Sequence, residues 1–71
     1  MNLYEPTFIQ LHEVDTDNVI VVNITNIVSF RDYNIPGKDT CTKVLVVAGN
    51  VVENLLVVET VEEISANMRV Y

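Results

Sequence analysis

The chain has 71 residues, of which about half are hydrophobic, with ten acidic and four basic side chains and a formal net charge of −6. The basic residues stand singly at Arg31, Lys38, Lys43 and Arg69. Phosphate neutralisation needs basic residues in a cluster, so this distribution excludes nucleic acid as a partner and disfavours anionic membrane surfaces. No apolar run reaches the length of a membrane span, so no membrane insertion is expected, and Met1 to Pro6 lacks the pattern of a secretory signal. One cysteine, Cys41, allows no intrachain disulfide and suits a reducing, cytoplasmic setting.

In chain order, residues 1–6 read as a leader, with Pro6 discouraging regular structure before it and Tyr4 as an anchor. Thr7 to Val14 alternates with period two, placing Ile9 and Leu11 on one face and Phe8, Gln10, His12 and Val14 on the other. Asp15 to Asn18 is a turn by composition. Asp15 and Asp17 could begin a calcium loop, but the glycine and distal glutamate of such a loop are missing, so no metal site is expected. Val19 to Ile24 reads as a second strand, hairpinned to the first and buried on both faces.

Asn23 to Asn26 then suggests a tight corner or a single helical turn. Ile27 to Tyr33 forms a third strand, and the corner could turn both Ile27 and Phe30 inward. Asn34 to Thr40 contains the Pro36-Gly37 turn pair and is the most loop-like stretch. Its single glycine and lysine do not make a phosphate cradle. Cys41 to Ala48 is a fourth strand, Gly49-Asn50 a hairpin turn, and Val51 to Val58 a fifth strand with Glu53-Asn54 as a possible bulge.

The chain changes period at its end. Leu55 to Val58 is β-branched and apolar, and Thr60 stands three residues before Glu63, the capping-box spacing. A helix over residues 60–69 follows, with Glu62 and Glu63 at the positive end of its dipole and Arg69 at the other. Ala66 adds apolar surface, and Val61, Ile64 and Met68 form the stripe that docks on the sheet. Glu59, Glu62 and Glu63 could be a catalytic carboxylate cluster, but capping and dipole account for the two helical glutamates, leaving a solvated acidic turn. The expected fold is mainly β (α+β): one small domain, residues 1–71, with a five-stranded antiparallel, barrel-like sheet over residues 7–58 and a short C-terminal helix.

Three stretches resemble the FlbD/SwrD family of small bacterial and phage proteins, whose members read I-x-L, N-x-x-x-I-x-x-I and V-x-E-S-V-E-E-V. Here they are Ile9-Gln10-Leu11, Asn23 through Ile27 to Phe30, and Val57-Val58-Glu59-Thr60-Val61-Glu62-Glu63-Ile64. The resemblance spans roughly residues 8 to 66. It implies an association with flagellar operons or with phage genomes, and it carries over no catalytic residue. The chain departs from the family in its longer Asn34 to Thr40 loop, in Val51 to Asn54, and in the apolar Leu56 and Val58.

Those departures point to a contact surface. If Leu55 and Val57 face the core, Leu56 and Val58 face the other side, where Phe8, Leu45 and Val47 can join them. A contiguous apolar patch on a small protein marks an interface, and a homo-oligomer is expected. No catalytic constellation is visible: His12 lacks a partner in the sequence, and Cys41 lacks an activating base. The expected function is a non-enzymatic interaction or adaptor protein without cofactor or metal. The alternative is a small-ligand-binding or sequestering module with a site at a subunit interface, using Asn23, Arg31, Tyr33 and Lys38.

Overall fold

The structure, a computed structural model, describes residues 8–68. Its order is β1 (Phe8–His12), β2 (Val19–Asn23), a 3₁₀ turn (Ile24–Asn26), β3 (Ile27–Tyr33), β4 (Cys41–Ala48), β5 (Val51–Val57) and α1 (Val61–Asn67). The leader, Thr7 and Arg69 lie outside the described residues.

All pairings are antiparallel. β1 and β2 form one sheet, from Phe8 opposite Asn23 to His12 opposite Val19. β3, β4 and β5 form the second, with β4 in the centre. Five strands are present, but the barrel-like closure expected from the sequence does not occur: the sheets have two and three strands and do not close. The reason lies at the corner between β2 and β3. The Asn23 side chain accepts from the Thr25 N–H at 3.0 Å and the Thr25 hydroxyl at 2.8 Å, closing a one-turn 3₁₀ cap. That turn carries consecutive strands into different sheets, so β2 and β3 never pair.

The sheets meet along a short seam. Val14 N–H donates to the Leu56 carbonyl and Val58 N–H to the His12 carbonyl, both at 2.9 Å, around a bridge between Glu13 and Val57. Beyond these residues β1 and β5 diverge.

Alternation places Ile9, Leu11 and Val22 of the first sheet and Val44 and Val57 of the second into one core with Ile64 of α1. Ile20, Ile24, Ile27, Phe30, Val46, Leu55 and Met68 pack around it. Ile27 and Phe30 both reach the core because the β3–β4 register shifts between Ile27 and Ser29, a bulge that breaks strict alternation. No such shift occurs at Glu53-Asn54, where pairing to β4 is continuous and both residues are exposed.

β2 departs from expectation. It is not buried on both faces: Val19 is 55% and Val21 59% exposed, while Val22 is buried. The run of β-branched residues records strand preference, and among the described residues only one face of the two-stranded sheet packs against the core.

The C-terminal junction forms as the spacing predicts. The Glu63 N–H donates to the Thr60 hydroxyl at 3.0 Å, and the Thr60 N–H donates to the Glu63 carboxylate at 2.9 Å. Ile64 is fully buried and Met68 packs on the core, whereas Ala66 is exposed.

Candidate functional site

Three features of the described surface can carry function: an apolar outer face, a cleft beneath the 34–40 loop, and a histidine–carboxylate pair at the seam.

The outer face comes from register. Leu45 stands opposite Asn54, Val47 opposite Val52, and Leu56 opposite Lys43. Leu45, Val47 and Leu56 are half-buried, and Val58 just beyond β5 is 50% exposed. Lys43 interrupts this face, its ammonium drawn over the Tyr33 ring at 4.9 Å. Phe8, predicted to join this patch, does not. It lies at the far end of β1, five residues from the Glu13 bridge, roughly 16 Å along the strand. There it is 59% exposed and shares the face of β1–β2 with Val19 and Val21, two contact candidates that sequence reasoning had placed inside.

The cleft is wide open to solvent, spans about 840 Å³ and is lined by Val14, Gly37, Lys38, Asp39, Thr40, Cys41 and Val58. Its apolar wall is Val14 and Val58 with the buried Cys41, and its polar rim is the loop. The loop is tied down twice. The Thr40 hydroxyl donates to the Asn34 side chain at 2.7 Å, and the Lys38 ammonium pairs with Asp15 in the β1–β2 turn. Asp15 and Asp17 take left-handed backbone conformations there (φ 77° and 57°), which aspartate tolerates better than most residues. Of the four polar residues named for ligand contact, Lys38 lines this cleft, Asn23 lines a different groove, and Arg31 and Tyr33 lie on β3. The structure does not bring them together.

The pair at the seam is His12 and Glu59. The His12 backbone N–H donates to one Glu59 oxygen at 2.8 Å, and Nδ1 meets the other at 2.5 Å. The Glu59 side chain is only 13% exposed, so it is not part of a solvated acidic turn as its sequence context suggested. Burial alone would raise its carboxyl. The hydrogen bonds from the His12 ring and N–H and from its own N–H, with the His12 charge, outweigh burial and hold it below the ordinary carboxylate range. An ionised carboxylate only accepts, so the proton sits on Nδ1. The Glu59 carbonyl in turn accepts from the buried Thr42 hydroxyl at 2.6 Å, anchoring the segment to β4. Chemically this is an imidazole ring, 43% exposed, held in one orientation by the carboxylate. His12 and Glu59 are 47 positions apart, and no local spacing signals their meeting.

Among the described residues no three histidine, cysteine or acidic side chains cluster to hold a metal ion, and no helix is long and apolar enough to cross a membrane. The chain matches no protein-family model, and neither a curated protein nor a solved structure is similar to it.

Proposed function

We propose that this protein is a small, non-enzymatic interaction protein that acts through protein–protein contacts as a homo-oligomer. The observation that carries this reading is the amount of apolar side chain left outside: Phe8, Val19, Val21, Val28, Val51 and Val52 are each more than half exposed in a chain of 71 residues. Scattered apolar residues need no explanation, but Phe8, Val19 and Val21 share one face of the two-stranded sheet, which favours a contact surface. The strand-to-helix motif at Val57 to Ile64 keeps an FlbD/SwrD-like role within this proposal. Light scattering over a dilution series tests it. A dimer or larger assembly is expected, and a monomer at every concentration overturns the homo-oligomer.

A second reading is favoured by the cleft, whose size and apolar wall suit a small ligand, with Lys38, Asp39 and Thr40 at its rim. A thermal-shift screen against nucleotides and metabolites tests it. A shift abolished by Thr40→Ala and by Val58→Asp would support ligand binding there.

A further inference from the structure

Cys41 is buried, yet it does not belong to the shared core. Strand alternation gives the reason. Val44 points inward, so Cys41, three positions away on β4, lies on the outer face with Lys43, Leu45 and Val47. Those three are half-buried, whereas Cys41, at the end of the strand, is only 6% exposed. Cross-strand neighbours leave this face half-open, so Cys41 has a further cover. The residues that share its cleft are Val14 and Val58 near the seam and residues 37–40 of the loop. The cleft opens to solvent beside the loop, and Cys41 lies at its floor.

Residues 34–40 are built as one piece. The Lys38 N–H donates to the Ile35 carbonyl at 3.0 Å, closing a turn with Pro36 and Gly37 at its centre. Gly37 takes φ 81°, the left-handed value that the third position of a type II turn requires. The bond from the Thr40 hydroxyl to the Asn34 side chain closes the base of the loop. Neither bond reaches outside the loop. Among the described residues, one polar contact ties the loop to the β1–β2 turn, the pair of the Lys38 ammonium and the Asp15 carboxylate. The turn that presents Asp15 is itself braced. Asp17 N–H donates to the Glu13 carbonyl at 3.0 Å, and the Thr16 hydroxyl to the Glu13 carboxylate at 2.7 Å.

We infer that residues 34–40 form a strap across the outer face, latched to the β1–β2 turn by Lys38 and Asp15. Releasing the latch uncovers Cys41 while the rest of the fold stays closed. Preformed pieces on both sides of the latch let the strap move as a unit about its two ends. Both charged groups are about half exposed, so water and salt compete for them and the latch is weak. Opening it leaves the core untouched, since no residue of the strap belongs to the core. The sheets stay joined through the His12–Glu59 pair and the two backbone bonds of the seam. The strap requires neither an oligomer nor a bound ligand; it sets how the cleft is reached.

The test is alkylation of Cys41 in the full chain by iodoacetamide, a neutral reagent whose approach salt does not steer. Cys41 is the single cysteine, so one added mass reports it. Two variants are compared, with urea midpoints measured alongside. Asp15→Asn removes the latch and keeps a residue that tolerates the left-handed backbone there. Asp17→Asn makes the same change in net charge without touching the latch. At low salt, Asp15→Asn should react about two- to fivefold faster than the native chain, with a urea midpoint close to the native one. Asp17→Asn should match the native rate. Raising salt to about 0.5 M should speed the native chain toward the Asp15→Asn rate and leave that variant unchanged.

A rate that neither Asp15→Asn nor salt changes overturns the strap. So does a rate that follows the global unfolding constant in low urea, because Cys41 would then be reached only by unfolding. A rate that falls as protein concentration rises overturns it too, since another copy would then be the cover. Should Asp15→Asn fail to fold, the salt response of the native chain decides.

Discussion

The C-terminal junction and the β1–β2 hairpin are built from equally apolar sequence and end in opposite conditions. At the junction, Val57 and Ile64 are fully buried, and Thr60, Glu63, Thr42 and Glu59 all find partners. In the hairpin, Ile9, Leu11 and Val22 are buried, but Phe8, Val19 and Val21 are more than half exposed, and among the described residues β2 pairs with no strand besides β1. The junction is finished within one chain, whereas the hairpin is finished on one face only. Buried apolar groups with satisfied polar neighbours hold the fold, and apolar groups left beside unpaired backbone are available for a partner.

Substitutions can break this contrast in order of expected effect. Ile64→Asp puts an unpaired charge at a fully buried site and should abolish folding, while Ile64→Ala should cost about 2–5 kcal/mol in urea denaturation. Glu59→Gln removes the charged acceptor from both His12 contacts and should cost about 1–3 kcal/mol at neutral pH.

Glu59 also sets an acid limit. Its carboxyl ionises more readily folded than unfolded, so its contribution is complete above the ordinary glutamate range. It declines as pH falls through that range and is gone below the depressed value. Urea midpoints measured from neutral to strongly acid pH should fall on this limb, and Glu59→Gln should flatten it. Thr60→Ala, which opens one half of the capping box, should lower stability by about 1 kcal/mol. In the hairpin, Val21→Lys should change monomer stability by less than about 0.5 kcal/mol, because the side chain is already exposed.

Much of the local structure was legible. β3 and β4 have the expected bounds, the Gly49-Asn50 hairpin joins Ala48 opposite Val51, and Asn23 caps a single turn. Capping, turn chemistry and period-two alternation depend on residues a few positions apart, so sequence reports them. The surface was harder to read. Leu45, Val47 and Leu56 do share an outward face of the three-stranded sheet, but Phe8 belongs to the other sheet and Val19 and Val21 were taken as core. Four consecutive β-branched positions, Val19 to Val22, look alike whether one face or both are covered.

The amino-acid sequence by itself determined which stretches become strand, turn or helix, because those choices rest on local backbone preference and near-neighbour hydrogen bonds; β1 nevertheless ends at His12, two residues short of the expected Val14. Only the tertiary structure decided that the five strands split into two sheets instead of closing, that His12 meets Glu59, and that among the described residues β2 pairs with β1 alone. Each of these depends on which distant segments come side by side, and that is settled by burial of one shared core, to which residues from Ile9 to Ile64 contribute together.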